Sequence, residues 1–316
     1  MRYWWVNHKQ TSRYEIAGGF LWSPMRKANG AENYFYNTMR EASPGDLVIS
    51  FSHAEIGYVG VVADFAIPSP KPPSFGKAGE NWDKNNGWLL PVNWKTLDAP
   101  IRPKQKIEGL KGLLPTKYSP ISLKTGHGNQ GAYLAEIGRP AFEYLISQSE
   151  FLKASASLSV YSVRDVLNDI DTAIENEILT DQSLDSTTKK RLVSARVGQG
   201  VFKEKIYEFE KACRLTKVTT QELLIASHIK PWRLCETAVE RLDGANGLLL
   251  APHVDHLFDR GMISFGDSGE VLISSKLSMV DLKLLGLFEA CLIPSEAFNE
   301  RQASYMKFHR EKVFVV

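Results

Sequence analysis

The feature that most constrains the fold is a strand–loop–strand–helix pattern in the C-terminal half of the chain. One apolar run ends at His228, a second spans residues 247–250, and a helical pattern follows from Pro252 to Gly261. Proline is tolerated in the first turn of a helix, and glycine is favoured just past the last turn. The sequence therefore predicts two short strands followed by a helix of about three turns.

Polar side chains near the ends of these elements suit the hydrolysis of a phosphodiester bond. His228 ends the first strand, and an imidazole accepts a proton from water near neutral pH. Asp255 and Asp259 lie four residues apart and therefore share one face of the helix. Carboxylate oxygens suit Mg²⁺ or Mn²⁺, which can offset the charge of a phosphate. Asn246 precedes the second strand and can hold the loop so that the histidine is correctly oriented.

The order of these residues is more informative than any one of them. Alone, a histidine at a strand end or an aspartate pair on a helix is more often structural than catalytic. Together they resemble the HNH nuclease family, of the ββα-metal type. The resemblance runs in order through residues 226–232, 246–250 and 255–265. It implies that His228 is the general base and Asn246 the family's central asparagine. It also implies that Asp255 binds a metal in place of a third histidine, with Asp259 as a second candidate ligand.

The metal-ligand set implied by the resemblance is open in two places. Residue 227 is serine, where relatives often have an aspartate or histidine ligand. His253 and His256 compete with the aspartate pair on residue type alone. We expect Mg²⁺ or Mn²⁺, with Co²⁺ or Ni²⁺ as alternatives. The three cysteines are far apart and too few for a four-cysteine site, so no structural zinc is expected.

Three residues around this segment are candidate DNA contacts. Residues 196–202 resemble a Gly-Gln-x-x-Phe segment that precedes this HNH subtype, which implies that Arg196 and Gln199 contact a phosphate or a base. Helix capping or packing explains these two residues equally well. Lys230, two residues after the motif histidine, is the third candidate.

The N-terminal half has many short apolar runs separated by turn signals, which is typical of a small barrel or curled sheet. The strand candidates are residues 3–6, 46–51, 57–63 and 88–92. Residues 33–41 are a helix candidate, and residues 68–79 are predicted to form a long loop. Aromatic residues are dense here, and burial in the core of a β-domain explains most of them.

Trp22 is harder to explain as a core residue, because it stands beside Ser23-Pro24 and outside any alternating strand pattern. The order of an aromatic strand, a tryptophan loop, a short helix and a Gly-Asp-led strand resembles the EVE domain, a PUA-like module that holds a modified base. The resemblance implies that Trp22 stacks on a flipped base beside Ser23. Arg26 and Lys27 are candidate phosphate contacts. Weaker candidates for the modified-base pocket are Tyr36, His53 and Trp88.

These two resemblances predict an α+β chain in three parts. An EVE/PUA-like curled β-barrel covers residues 1–148, a helical linker covers 149–188, and a ββα-metal HNH nuclease domain covers 189–316. No apolar stretch approaches the roughly 18 residues of a membrane span, and the N-terminus has no apolar signal region. We therefore expect a cytoplasmic protein without a membrane partner. The net charge of +2 does not by itself indicate a nucleic-acid partner.

An EVE-like reader joined to an HNH nuclease resembles a modification-dependent restriction endonuclease, which bacteria use against modified phage DNA. The expected partner is double-stranded DNA that contains 5-methylcytosine or 5-hydroxymethylcytosine. Because one HNH site cuts one strand, a double-strand break implies a homodimer. The acidic helical segment 163–179 is one candidate for the dimer contact. Two alternatives stay open: a non-selective or RNA-directed nuclease, and a modified-base reader without catalysis.

Overall fold

The computed structural model describes residues 1–146, 163–198 and 200–315 of the chain. The chain divides into two compact units, Met1–Ile170 and Asp171–Val316. The division falls inside a helix, Val163–Thr180. Residues 149–162 of the predicted linker lie outside the described residues.

The described part of the first unit contains seven strands, four complete helices and the start of a fifth helix. The strands are β1 (Tyr3–Asn7), β2 (Phe20–Pro24), β3 (Leu47–Ser52), β4 (Glu55–Val62), β5 (Ile67–Ser69), β6 (Gly87–Ile101) and β7 (Leu134–Ile137). The helices are α1 (Ser12–Gly18), α2 (Tyr34–Asn37), α3 (Ile107–Leu110) and α4 (Arg139–Ile146).

These strands form one curled sheet in the order β2-β6-β4-β3-β1-β7, with β5 also paired to β6. β1 and β3 are parallel, whereas the other pairs are antiparallel. The long strand β6 pairs through its first residues with β2 and β5 and through its later residues with β4, so it continues the sheet around a bend. Gly60 on β4 lets Trp94 of β6 approach the backbone, because a Cβ there would lie 2.8 Å from the indole. The predicted curled sheet is confirmed.

Two apolar clusters stabilise this unit. Trp4 belongs to the cluster that contains Trp88 and Trp94, and Trp5 belongs to the cluster that contains Phe142. Successive side chains of a strand point to opposite faces of the sheet, which explains why adjacent tryptophans enter different clusters. Most of the dense aromatic residues are therefore core, as the simpler interpretation of the sequence predicts.

The boundaries of the predicted elements need several corrections. The four strand candidates correspond to β1, β3, β4 and β6, and β6 extends the predicted 88–92 to fifteen residues. The predicted helix at 33–41 is a short α-helix, α2, followed by a 3₁₀ turn at Thr38–Arg40. The prediction that Trp22 lies in a loop is wrong, because Phe20–Pro24 pair along their whole length with β6.

The second unit begins within the helix α5 (Val163–Thr180). Its further helices are α6 (Ser186–Arg196), α7 (Val201–Ile206), α8 (Ala238–Leu242), α9 (Pro252–Asp259), α10 (Met279–Leu284), α11 (Phe288–Cys291) and α12 (Glu300–Phe308), with a π-helical turn at His309–Val313. Its strands form two hairpins, β8 (Ile225–His228) with β9 (Gly247–Leu250), and β10 (Ile263–Phe265) with β11 (Val271–Ile273).

The predicted strand–loop–strand–helix pattern is confirmed as β8, β9 and α9. Pro252 occupies the first turn of α9, and Gly261 follows its end with a left-handed φ of 67°. At that glycine a side chain would collide with the backbone of Val313, so the close approach of the C-terminal segment requires glycine. Among the described helices, none is both long and apolar enough to cross a bilayer.

Candidate active site

The β8–β9 hairpin places His228 directly opposite Gly247 in an antiparallel register. Helix α7 packs closely against this point, because a Cβ on Gly247 would lie 3.0 Å from the ring of Phe202. Phe202 is fully buried and stacks on the His228 imidazole, with ring centroids 3.8 Å apart and planes 7° apart. The hairpin and α7 together fix the orientation of the histidine ring.

Asn246 holds the loop between the two strands, as the sequence predicts. Its side chain is fully buried, and its Oδ1 accepts a hydrogen bond from the backbone N–H of Lys230 at 2.8 Å. Its Nδ2 donates to the carbonyl oxygens of Lys230 and Glu240, at 3.3 and 3.2 Å. One buried amide thus ties both ends of the 230–240 loop to the start of β9, next to His228.

The His228 ring is half-buried, and its Nε2 lies 3.1 Å from the carbonyl oxygen of Arg241. Burial lowers the pKa of His228 to about 4, so the ring is neutral at pH 7. With the Nε2 hydrogen donated to that carbonyl, the lone pair of the neutral ring is on Nδ1. The geometry therefore presents the tautomer of a proton acceptor.

Asp255 and Asp259 lie on one face of α9, and Ser227 of β8 connects this face to the hairpin. The Ser227 hydroxyl donates a hydrogen bond to Asp259 Oδ1 at 3.3 Å. The Oδ1 atom of half-buried Asp255 is buried and has no hydrogen-bond partner in the described part of the chain. Burial raises the pKa of half-buried Asp255, and desolvation of the carboxyl group together with the Asp255 carboxylate raises the pKa of Asp259, a residue that is exposed overall. Two carboxyl groups that are costly to ionise thus share one site.

These two carboxylates and the Ser227 hydroxyl fit a hard divalent cation. A buried carboxylate oxygen without a donor is destabilising unless a positive charge faces it. Mg²⁺ is commonly held by one or two carboxylates, with water and phosphate oxygens as its other ligands. Among the described residues, no group of three His, Cys, Asp or Glu side chains converges on one point, so the structure does not bring His253 into the aspartate pair. His253 lies two residues before Asp255, which is about 200° around the helix.

The three candidate DNA contacts of this half differ in their surroundings. Lys230 is buried and its ammonium group pairs with Glu240 at 3.0 Å, so it stabilises the 230–240 loop. Arg196 is half-buried and pairs with Glu175 at 2.6 Å. Both cations are already neutralised within the protein. Gln199 lies outside the described residues.

In the first unit, the predicted modified-base residues lie in different places. Trp22 is fully buried in β2, and its Nε1 donates to the carbonyl oxygen of Ser69 at 3.2 Å. Its indole contacts Phe75 edge-on, at 5.8 Å, and stacks on Trp82 at 6.0 Å. The sequence analysis missed both partners. Their only sequence signal is an aromatic residue in an otherwise polar, proline-rich loop.

Ser23, Trp88 and Tyr36 are separate from that aromatic group. Ser23 pairs with Trp88 across β2 and β6, and its buried hydroxyl has no hydrogen-bond partner among the described residues. Arg40 lies over the Trp88 ring at 5.0 Å, and Tyr36 packs against the same apolar cluster. These three candidates thus share one region of the first unit.

His53 lies elsewhere, at the tip of the β3–β4 turn. Both His53 and Ala54 have left-handed backbone, with φ of 53° and 67°. His53 lines an open groove of about 620 Å³ with His127, Asn129 and seven other residues, and Trp22 is not among them. Arg26 is exposed and contacts the Gly30 carbonyl, and Lys27 is also exposed.

A buried polar network that the sequence analysis missed positions β2. Glu15 is fully buried and accepts hydrogen bonds from the backbone N–H of Trp22 at 2.9 Å and from the Tyr133 hydroxyl at 2.5 Å. His8 lies between the same carboxylate, at 2.6 Å, and the Ser50 hydroxyl, at 2.7 Å. These hydrogen bonds satisfy a fully buried carboxyl group next to the tryptophan strand.

The comparisons with known proteins locate a family match in the second unit. Residues 213–266 match the family described as HNH endonuclease. No protein of curated function matches the sequence. A solution structure from Rhodopseudomonas palustris is 13% identical, covers 49% of this chain and 97% of its own, and gives a TM-score of 0.32. A crystal structure from Pseudomonas putida is 13% identical, covers 46% of this chain and 97% of its own, and gives a TM-score of 0.31. A crystal structure from Agrobacterium tumefaciens is 15% identical, covers 50% of this chain and 100% of its own, and gives a TM-score of 0.29. The segment that holds His228, Asn246 and both aspartates is thus similar to HNH endonucleases.

Proposed function

We propose that the chain is a metal-dependent DNA endonuclease. The observation that carries this proposal is a buried carboxylate oxygen of Asp255 that has no partner among the described residues. It lies one helical turn from Asp259, inside the segment that matches HNH endonucleases. Asp255 and Asp259 would hold a cation, and its positive charge would offset the cost of burying the Asp255 oxygen and the repulsion between the two carboxylates. We propose Mg²⁺ or Mn²⁺ on the basis of the oxygen ligands, with Co²⁺ and Ni²⁺ as alternatives.

The chain's own residues account for the proton transfer. When bound, the metal supplies positive charge beside the scissile phosphate and its leaving oxygen. His228 accepts a proton from the attacking water at Nδ1, because Nε2–H is held by the Arg241 carbonyl. An anionic phosphate near the ring raises its pKa from about 4 towards neutrality, which strengthens the base when substrate is present. Asn246 keeps the loop and the histidine in register throughout.

We further propose that the first unit selects DNA containing 5-methylcytosine or 5-hydroxymethylcytosine. The support is the resemblance to EVE domains together with one local feature, the stacked pair Trp22–Trp82. A base inserted between two indoles needs a ring separation of about 7 Å, compared with the 6.0 Å between Trp22 and Trp82. Trp82 belongs to residues 76–86, which form turns and bends, so its movement does not require a strand to break.

The biological form that we propose is a homodimer on double-stranded DNA, with one HNH site for each strand. The three cysteines are buried and free, which suits the reducing cytoplasm. The proposed role is restriction of phage DNA that carries modified cytosine.

Digestion of matched substrates tests the function. Identical plasmids with cytosine, 5-methylcytosine or 5-hydroxymethylcytosine, and an RNA of the same sequence, are incubated with each of the four metals. We expect cleavage of modified DNA only, and no cleavage by the His228→Ala variant. Equal cleavage of all DNA would contradict the reader assignment, and cleavage of RNA alone would show an RNA-directed nuclease. Cleavage of none, with selective binding of modified DNA, would show a reader without catalysis.

A further inference from the structure

Helix α10 and the residues that directly follow α10 and α11 expose an unusual concentration of large apolar side chains. We call this surface the α10–α11 face, and its members are Met279, Val280, Leu284, Leu285, Leu292 and Ile293. Leu284 is 80% exposed, Ile293 is 69% exposed and Val280 is 65% exposed. Isolated apolar residues are normal on a protein surface, but six within fifteen residues of chain require an explanation.

The α10–α11 face is held in place by the apolar core of the second unit. Leu282, Leu287 and Cys291 are buried in the apolar core of the second unit and anchor the two helices. Ser278 caps α10 by accepting hydrogen bonds from the backbone N–H groups of Val280 and Asp281. The exposed side chains therefore lie on ordered backbone, so an interface would cost side-chain entropy but little backbone entropy.

The area and charge of this face identify a protein partner. Together the six side chains expose on the order of 600 Å², which approaches the roughly 800 Å² per subunit of a standard interface. The charged residues beside them are of both signs, with Asp281 and Glu289 opposed by Lys276 and Lys283. A nucleic-acid surface needs a basic excess, which this face lacks. A mixed pattern is compatible with a second copy in a two-fold arrangement, where each acid can meet a base.

We propose that the α10–α11 face is the homodimer interface and that its partner is the same face of a second copy. The choice of a second copy rests on the proposed function, because cutting both strands of a duplex requires two HNH sites. It also rests on the charged residues of both signs beside the apolar side chains and on an exposed apolar area that approaches that of a standard interface.

Mass measurement tests the interface independently of catalysis. We expect the wild-type chain to have twice the monomer mass by light scattering at micromolar concentration. Leu284→Asp and Ile293→Asp should each raise the dimer Kd by about 30-fold or more, since a central apolar contact is replaced by a charge. The control is Leu179→Asp on α5, an isolated apolar residue that is 51% exposed. This control also tests the acidic helix predicted from sequence as the dimer contact.

Cleavage of a supercoiled plasmid with modified cytosine and Mn²⁺ provides the second readout. The wild type and Leu179→Asp should produce linear DNA directly. The two α10–α11 variants should nick at a rate within about twofold of wild type and accumulate open circles, which also shows that they are folded. A monomeric wild type, a dimer that survives both substitutions, or a dimer lost only in Leu179→Asp would overturn the proposal. A dimer of the expected behaviour that cuts no DNA would contradict the nuclease proposal and leave the interface standing.

Discussion

Replacing Asp255 by asparagine should stabilise the metal-free protein and abolish the stabilisation by metal. The carboxylate is half-buried, one oxygen has no partner among the described residues, and a second carboxylate lies one turn away. The neutral amide removes a desolvated charge and its repulsion of Asp259. We therefore expect metal-free Asp255→Asn to be more stable than wild type by about 0.5–2 kcal/mol, as is common when a functional site is relieved of strain. For a unit of this size, 1 kcal/mol corresponds to roughly 2–4 °C in Tm.

The metal response should change in the opposite direction. A cation at one hundred times its Kd stabilises the folded state by about 2.7 kcal/mol, which is roughly 5–10 °C for the second unit. Scanning calorimetry with and without Mn²⁺ should show this increase in wild type and in His253→Ala, but not in Asp255→Asn. If Mn²⁺ raises the Tm of Asp255→Asn as much as that of wild type, Asp255 is not a ligand. If His253→Ala alone loses the response, the metal lies on the other side of α9.

Four further variants, one of them with a matched control, test other parts of the structure. His228→Ala should reduce cleavage by about 10²–10⁴-fold while Mn²⁺ binding persists; cleavage within threefold of wild type would remove the histidine from the mechanism. Trp22→Ala should destabilise the first unit by about 3–5 kcal/mol because the indole is fully buried. Trp82→Ala should instead keep the fold and lose the preference for modified DNA in binding titrations with EDTA, whereas Tyr118→Ala, at another stacked surface pair, should keep it. His309 is fully buried with its pKa lowered to about 3, so its contribution to stability is complete above pH 6.5 and decreases as the pH falls. Urea unfolding should show that wild type loses about 2 kcal/mol more than His309→Gln between pH 7 and 5, and equal losses would refute the assignment.

The HNH segment was predictable because its residues are local in sequence. The strand that ends at His228, the glycine opposite it and the helix from Pro252 lie within about forty residues, and turn and cap signals fix their order. The residues that contact His228 from other elements were not predictable. Phe202 reaches His228 from α7, and the Arg241 carbonyl reaches it from α8, so both contacts depend on tertiary packing.

In the first unit, by contrast, the strands were predictable but the surroundings of the key tryptophan were not. Its strands were recognisable from short apolar runs, but Trp22 was misplaced because Phe20–Pro24 contains proline and lacks alternating polarity. All five residues are buried, so no polar face marks the strand. Proline is accepted at its end, where Pro24 pairs with Gly87. Glu15 accepts a hydrogen bond from the Trp22 backbone, but nothing in the sequence around it indicates that it is buried.

The three cysteines have a practical consequence for handling the protein. Cys213 and Cys235 lie in the second unit as buried side chains, and the Cys235 thiol contacts the carbonyl oxygens of Lys230 and Pro231. Because these thiols act as small packing groups and the hairpin is held by Asn246 and an apolar core, a chelator should remove the proposed metal ion without unfolding the second unit. EDTA should therefore inhibit cleavage reversibly. The metal-free protein can then be purified and bound to DNA without cleaving it. Addition of a divalent cation should start cleavage in all molecules at the same time. The individual cleavage steps can then be followed by rapid-quench and time-resolved measurements.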